Sequence, residues 1–228
     1  FCVSLLGSCS VSASAAAAVV SGPSVAVDPK HGADKPGCNL TSPCKTISYA
    51  IQIVGASFVS LSAGGIFDEP TVNISGSASL VIRGMPSATI DCSRRLQTTG
   101  PAFSIVNSAV VVTGISFQNC YNPTSYGGAL SASGSSVLVS QCSFINCSAA
   151  SGGAISEIGP GDSLFLNVQS SNFTVNSANG GSVGCPEDAA LPCSAWGGAI
   201  AAFEIFNVTI RGCTMISNRA DAQVPIAS

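Results

Sequence analysis

A repeated alternation of apolar and polar positions runs through the second half of the chain. The repeat is marked by four large apolar residues that lie 27, 29 and 42 residues apart: Phe117, Phe144, Phe173 and Met215. Five and seven residues before each marker stand two aliphatic residues, in the pairs Val110/Val112, Val137/Val139, Leu166/Val168 and Val208/Ile210. Three residues after the markers stand Cys120, Cys147, Asn176 and Asn218. This period of two predicts short strands that bury one face.

Each unit also contains two adjacent glycines, followed by a small residue and an aliphatic one. The pairs are Gly127–Gly128, Gly152–Gly153, Gly180–Gly181 and Gly197–Gly198. Because glycine accepts positive φ and lets two backbones approach closely, the pairs predict corners between strands. The last two pairs enclose an insertion at 184–196, and this insertion explains the longest spacing.

A unit of this length cannot bury its apolar face alone, so the units are expected to stack about 4.8 Å apart around one core. The pattern therefore predicts an all-β, single-stranded parallel β-helix over residues 24–221. Further strands are predicted at four apolar segments of the first half: 59–61, 72–74, 80–82 and 88–90. The helical pattern of residues 44–54 predicts a short N-terminal capping helix that shields the first strand edge.

The two ends of the chain are less regular than the repeat. Residues 1–23 are apolar and then rich in Ala and Ser, as in the end of a secretory signal or in a first strand. Residues 222–228 fit a tail or a truncated continuation. No capping segment follows the strand near 215–218, so we expect either a fragment of a longer protein or end-to-end stacking with another β-helix.

The motifs SFQNC, SFINC, NFTVN and TMISN, together with the glycine pairs, resemble the repeats of polymorphic outer-membrane proteins over residues 115–218. Two of these units carry Cys in place of the final Asn, and one has Met in place of Phe. The segments VAVDPKHGAD, PCKTISYAI and LSAGGIFDEPTVNI resemble the N-terminal part of pectin lyase-like proteins. The resemblance implies a right-handed β-helix. Esterases, lyases and adhesins share that fold, so it carries little functional information.

Composition narrows the class of protein further. Charged residues make up 8% of the chain and hydrophobic residues 46%, and this balance excludes intrinsic disorder. The net charge of −3 leaves no basic patch for nucleic acid. No apolar run reaches the roughly 18 residues that would cross a bilayer. We therefore expect no nucleic-acid partner and no membrane span.

Eleven cysteines indicate an oxidising compartment. A metal site is disfavoured because the chain has no CxxC pair and a single histidine, His31. The predicted disulfides are Cys38–Cys44 and Cys185–Cys193, each across a proline-containing loop, and Cys120–Cys147 between stacked units. Cys92 extends the Cys120 column, and the pairing of Cys92, Cys142 and Cys213 stays open. Buried thiols are expected at Cys142 and Cys213.

Five N-glycosylation sequons also favour a secreted or cell-surface protein. By strand alternation or loop position, four of their asparagines are expected to face solvent and carry glycans: Asn39, Asn73, Asn172 and Asn207. Asn146 lies two residues after Phe144, so it is expected to face inward and to stay unmodified.

Catalytic chemistry has few candidates in this chain. Asp91 with Arg94 and Arg95 forms the one acid–base cluster, but a charged turn beside Cys92 is the favoured interpretation. Asp68-Glu69 is interpreted as structural, and Glu187-Asp188 as part of a solvated loop. The paired carboxylates that polysaccharide-cleaving β-helices use are absent from the second half, and no cofactor motif is present.

The expected function is therefore that of an adhesive or structural extracellular module without catalysis. Its partners would be other extracellular proteins or polysaccharide. The expected contact elements are the long face of stacked strands and the loop at 184–196. Trp196 is the candidate contact residue, with packing over the strand edge as the alternative. The alternative function is that of a polysaccharide-active enzyme, or of a degenerate relative that binds carbohydrate.

Overall fold

The computed structural model describes residues 22–77, 79–95, 99–180 and 197–221, and at 160–163 and 206 it describes the backbone alone. The strands in chain order are β1 (Ser24–Val27), β2 (Phe58–Leu61), β3 (Ile66–Phe67), β4 (Val72–Ser75), β5 (Leu80–Gly84), β6 (Thr89–Asp91), β7 (Phe103–Val106), β8 (Ala109–Thr113), β9 (Ser116–Gln118), β10 (Tyr121–Tyr126), β11 (Leu130–Ser133), β12 (Ser136–Ser140), β13 (Ser143–Ile145), β14 (Ser148–Ser151), β15 (Ile155–Gln169), β16 (Asn172–Thr174), β17 (Ser177–Ala178), β18 (Ile200–Arg211), β19 (Thr214–Ile216) and β20 (Arg219–Ala220). Within these ranges, α-helix is confined to α1 (Ile47–Gln52), and a 3₁₀ turn spans Cys92–Arg94.

The described strands form three sheets in which every pairing is parallel. The largest sheet has a first arm, β1-β2-β5-β8-β12-β15, and a second arm, β15-β11-β7-β4, because the long strand β15 belongs to both. Strand β18 pairs with β15 along both arms. A second sheet has the order β3-β6-β9-β13-β16-β19, and a third has the order β10-β14-β17-β20. The prediction of an all-β chain with parallel strands is confirmed.

The chain visits these sheets in a fixed order. From β8 it runs through β9, β10 and β11, and it returns at β12 to the strand beside β8. Equivalent residues of successive units are register partners, so Phe117 lies beside Phe144, Phe144 beside Phe173 and Phe173 beside Met215. The alignment predicted from the apolar markers is therefore the register of the sheet.

Stacked aromatic rings fill the interior behind the second sheet. The ring centroids of Phe117 and Phe144 lie 5.0 Å apart, and those of Phe144 and Phe173 lie 4.8 Å apart. Phe103 meets Phe117 edge-on, with 5.5 Å between the ring centroids. All four side chains are fully buried. Burial of one such ring contributes about 2–3 kcal/mol by area alone.

The glycine pairs that the structure describes in full, Gly127–Gly128, Gly152–Gly153 and Gly197–Gly198, occupy corners, as predicted, and Gly181 of the remaining pair lies outside the described residues. Gly127 and Gly152 have φ values of +64° and +61°, in the left-handed region that glycine reaches most easily. The second glycines Gly128 and Gly153 are needed for a different reason. A Cβ on Gly128 would collide with the carbonyl oxygen of Gly153, and one on Gly153 would collide with that of Gly198.

Helix α1 is shorter than the predicted 44–54 segment. Thr46 caps its N-terminus by accepting a hydrogen bond from the Tyr49 N–H, and Ile47 and Ala50 are buried on its inner face. Glu69 accepts hydrogen bonds from the N–H groups of Ile47 and Ser48, at 2.7 and 2.9 Å. The N–H groups at the start of the helix thus find their acceptor in Glu69, which lies in the connection between β3 and β4. This contact helps to hold α1 beside β1, β2 and β4.

Candidate contact surface

The outer face of the first arm carries two straight columns of side chains, and we call it the ladder face. An apolar column consists of the register partners Phe58, Val81, Val111 and Leu138, each partly exposed. Beside it runs a polar column of register partners, Ser60, Arg83, Thr113, Ser140, Gln169 and Arg211. Rows of a parallel sheet are about 4.8 Å apart, so the polar column is roughly 24 Å long.

Strand alternation produces the ladder face. The intervening residues point inward and are fully buried, as for Val59, Ile82, Val112 and Val139. The outward side chains are not part of the core, so they can contact a ligand. Neither column contains a carboxylate, and the two charges in the polar column are those of Arg83 and Arg211. The face offers aliphatic contact, hydroxyl and amide groups, and two guanidinium groups to a flat or extended ligand.

Asp91 and Arg94, the candidate catalytic pair, flank one turn: Asp91 ends β6 and caps the 3₁₀ turn, and Arg94 ends that turn. One oxygen of Asp91 accepts hydrogen bonds from the Ser93 N–H, the Ser93 hydroxyl and the Asn119 amide. Its other oxygen lies 3.6 Å from Arg94 Nε. Burial opposes ionisation of Asp91, but these hydrogen bonds and the Arg94 charge outweigh it and hold its pKa below the ordinary value. The carboxylate is held ionised as a turn cap.

The cysteine column corrects one predicted disulfide. Cys120 is bonded to Cys92, with their Cα atoms 4.8 Å apart, and it is not bonded to Cys147. Cys120 and Cys147 stand three residues after the register partners Phe117 and Phe144, while Cys92 stands two residues after Ile90, the register partner of Phe117. Cys120 thus has a cysteine in the preceding unit and one in the next, and it can bond only one of them. Cys147 stays a buried thiol, and burial raises its pKa to about 12. Such a thiol is almost never the reactive thiolate.

The other cysteines are placed as follows. Cys38 is bonded to Cys44 with 5.2 Å between Cα atoms, in the loop between β1 and α1. Cys142 is a buried thiol and Cys213 a partly buried one. Burial raises the pKa of Cys142 to about 11. The predicted pair Cys185–Cys193 and the candidate contact residue Trp196 lie outside the described residues.

A second correction concerns one sequon asparagine, Asn146. Asn39, Asn73, Asn172 and Asn207 are exposed, and their modification stays a prediction. Asn146 is also exposed, so the expectation that it faces inward is wrong. Its φ of +54° turns the chain between β13 and β14 and resets the alternation there. The Asn146 amide donates a hydrogen bond of 2.9 Å to Asn119 Oδ1.

Two stacked asparagines, Asn176 and Asn218, form a series of hydrogen bonds at the same corner of the fold. Asn176 Oδ1 accepts a 2.9 Å hydrogen bond from the Cys147 N–H, and Asn218 Oδ1 accepts one of 3.0 Å from the Asn176 N–H. Their amide groups donate to the carbonyl oxygens of Phe144 and Phe173. This ladder satisfies corner backbone groups that the strands leave unpaired, as expected for stacked asparagines.

Sequence reasoning missed Glu157. It lies in β15 in register with Ala132, and its side chain is 0% exposed. One carboxyl oxygen accepts the Ser135 N–H at 3.1 Å, and the other has no hydrogen-bond partner among the described residues. Burial outweighs the Ser135 hydrogen bond and raises its pKa to about 8. The signal was available: Glu157 stands five residues after Gly152, where the neighbouring units have Ala132 and Ala202.

Comparison with known proteins gives no assignment: no family model, no curated protein and no solved structure matches the chain. Within the described residues, no group of three or more His, Cys, Asp or Glu side chains is placed to hold a metal ion. A search of the same residues finds no helix with the length and hydropathy of a membrane span.

Proposed function

We propose that this protein is a secreted or cell-surface module that uses the ladder face for adhesion or for building an extracellular structure, without catalysis. The observation that carries the proposal is the ladder face itself: a straight apolar column beside a polar column, with no carboxylate in either. Its partners are polysaccharide or another extracellular protein.

The proposed fold is a single-stranded right-handed parallel β-helix, related in plan to pectin lyase-like proteins and polymorphic outer-membrane protein repeats. It is supported by the fixed order in which the chain visits its sheets and by the parallel pairing of equivalent residues. The handedness rests on the general rule that about 98% of crossovers between parallel strands are right-handed.

Extracellular placement is supported by the disulfides Cys38–Cys44 and Cys92–Cys120, because such bonds persist in oxidising compartments. The exposed sequons Asn39, Asn73, Asn172 and Asn207 fit the same placement.

Polysaccharide suits the ladder face because a sugar ring has an apolar C–H face and a polar rim. Val111 and Leu138 would contact the first, while Thr113, Ser140 and Arg83 would hydrogen-bond with hydroxyl or carboxylate groups. The Asp91–Arg94 pair gives no support to cleavage, because a carboxylate with a lowered pKa is a poor proton donor to a glycosidic oxygen.

The test is to incubate the secreted chain with acidic and neutral polysaccharides and to score both retention and released products. Retention without products is the expected result. Released oligosaccharide or methanol, lost on Asp91→Ala and on Arg94→Ala, would replace the proposal with the polysaccharide-active enzyme. If the chain is not retained and no products are released, polysaccharide is excluded as the partner, and an extracellular protein takes its place.

A further inference from the structure

One sequon asparagine has an exposed aromatic ring as its cross-strand neighbour. Asn207 of β18 is the register partner of Phe165 in β15, and the next pair along is Leu166 with Val208. Leu166 is fully buried, so the preceding pair points to the outer face. Phe165 is 41% exposed there. Side chains of such a pair stand about 5 Å apart, within reach of one sugar ring.

The other sequons in strands lack such a neighbour. Asn73 is paired with Ser104, and Asn172 lies between Ser143 and Thr214. Among the sequon asparagines in strands, Asn207 is thus distinguished by an aromatic register partner.

The whole Asn207 sequon lies on one side of its strand. Asn207 and Thr209 are two residues apart in β18, so both point outward, and Thr209 is the register partner of Asn167. An extended strand with its asparagine and hydroxyl residue on the solvent side presents both groups to a transferase. A ring left 41% exposed has apolar area that a covalently held sugar can cover.

We propose that Asn207 carries an N-linked glycan whose first N-acetylglucosamine packs its C–H face against the Phe165 ring and stabilises the β15–β18 pair. This deepens the proposed function, since it rests on passage through the secretory pathway. The Asn207 amide nitrogen loses a proton and bonds to the anomeric carbon of the sugar. The donor is a lipid-linked oligosaccharide pyrophosphate; its bond from that carbon to the phosphate oxygen breaks, and the lipid pyrophosphate leaves with the electron pair.

The test is a double-variant cycle on the full chain secreted from eukaryotic cells, with glycopeptides identified by mass spectrometry. Thr209→Ala abolishes the sequon while keeping Asn207, and Phe165→Ala removes the ring. The expected result is that Phe165→Ala lowers the folding equilibrium constant about two- to ten-fold more in glycosylated protein than in the Thr209→Ala background. Phe165→Leu keeps an apolar contact and should give an intermediate effect. Trimming the glycan to one sugar should preserve the coupling.

The matched control is the same cycle at Asn73, with Ser75→Ala and Ser104→Ala, where additive effects are expected. Additive effects at Asn207, with the glycan present, would overturn the inference and leave the proposed function standing. An unmodified Asn207 beside a glycosylated Asn73 would do the same. A secreted chain with no glycan on any sequon would overturn the inference together with its glycoprotein premise, while retention on polysaccharide would still support the proposed function.

Discussion

Two columns of inward-facing side chains are both built from register partners, but one consists of aromatic rings and the other includes a carboxyl group. Behind the second sheet, Phe117, Phe144 and Phe173 form a continuous stack of rings. Behind the second arm, the equivalent column reaches Ala132 and then the carboxyl group of Glu157. Register decides that each position faces the interior. The neighbouring corner decides which side chain the position can hold.

The Glu157 column differs because of a serine ladder at its corner. The Ser108 hydroxyl accepts the Ser77 N–H at 3.1 Å, and the Ser135 hydroxyl accepts the Ser108 N–H at 3.2 Å. In the next unit β15 runs on through the corner, and Glu157 accepts the Ser135 N–H in place of a serine. The carboxyl group thus takes the place of a serine hydroxyl as acceptor for a corner N–H group. The cost is the desolvation of the carboxyl group itself.

The largest expected effect comes from breaking the ring stack. Phe144→Ala removes a fully buried ring that contacts one neighbour on each side, and it should cost about 3–5 kcal/mol of unfolding free energy. Ile145→Ala, one residue along and facing out, should cost less than about 1 kcal/mol. Urea unfolding measures both. Equal losses would contradict the account of the ring column.

The second prediction tests whether Cys120 can form a disulfide with Cys147 when its partner Cys92 is removed. In Cys92→Ser, refolded with glutathione disulfide as oxidant, we expect Cys120 to bond Cys147, the partner predicted from the sequence. The free-thiol count of the denatured chain should then fall by one. Cys92→Ser with Cys147→Ser should lose about 3 kcal/mol of stability because no partner remains. A count that rises by one in the single variant would show that the Cys120 thiol stays free.

Glu157 should make stability depend on pH. Its pKa is raised from 4.5 to about 8, so the folded state holds a proton that the unfolded state releases. The stabilisation is full below about pH 4.5 and is lost as the pH rises through 8, at up to about 1.4 kcal/mol per pH unit. Glu157→Gln keeps an acceptor for Ser135 and should flatten this slope in urea unfolding at pH 5, 6.5 and 8.

Asp91→Asn is the control with the opposite sign. The pKa of Asp91 is lowered from 3.8, so its contribution is present above that value and is lost as the pH falls below it. This variant should therefore leave the slope between pH 5 and 8 unchanged. A Glu157→Gln slope equal to that of the unmodified chain would contradict the burial of a neutral carboxyl group.

The smallest expected effect concerns Val175, a β-branched residue with φ of +56° at the corner where other units have Asn119 and Asn146. The residue is 51% exposed, so little packing compensates the strained backbone. Val175→Gly should raise stability by roughly 0.5–1 kcal/mol, after the entropy cost of glycine. Ile145→Gly, in a strand, should lower it. Thermal unfolding of both variants checks the sign, and a less stable Val175→Gly would contradict the strain.

Strand register was predictable from this sequence because it depends on apolar spacing that every unit repeats. The four markers, the aliphatic pairs before them and the glycine corners all align in space as they align in the sequence. The ladder face follows from the same alternation, although its two columns appear only when successive strands are placed side by side.

Three features escaped sequence reasoning for physical reasons. Alternation holds only inside a strand, so the positive φ of Asn146 reversed its expected direction. Cys120 has one cysteine in the preceding unit and another in the next, and their spacing in the sequence does not choose between them. The acceptor role of Glu157 depends on the Ser135 N–H, which comes from the preceding corner 22 residues away.

The most direct test of the central claim is binding by the ladder face. Leu138→Glu places a negative charge at the end of the apolar column, beside Val111, and Ser104→Glu places the same charge on the outer face of the second arm. Polygalacturonate is the probe, since Arg83 and Arg211 lie in the adjacent polar column. The account predicts binding at least about ten-fold weaker for Leu138→Glu and unchanged for Ser104→Glu. Equal binding by the two variants would contradict it.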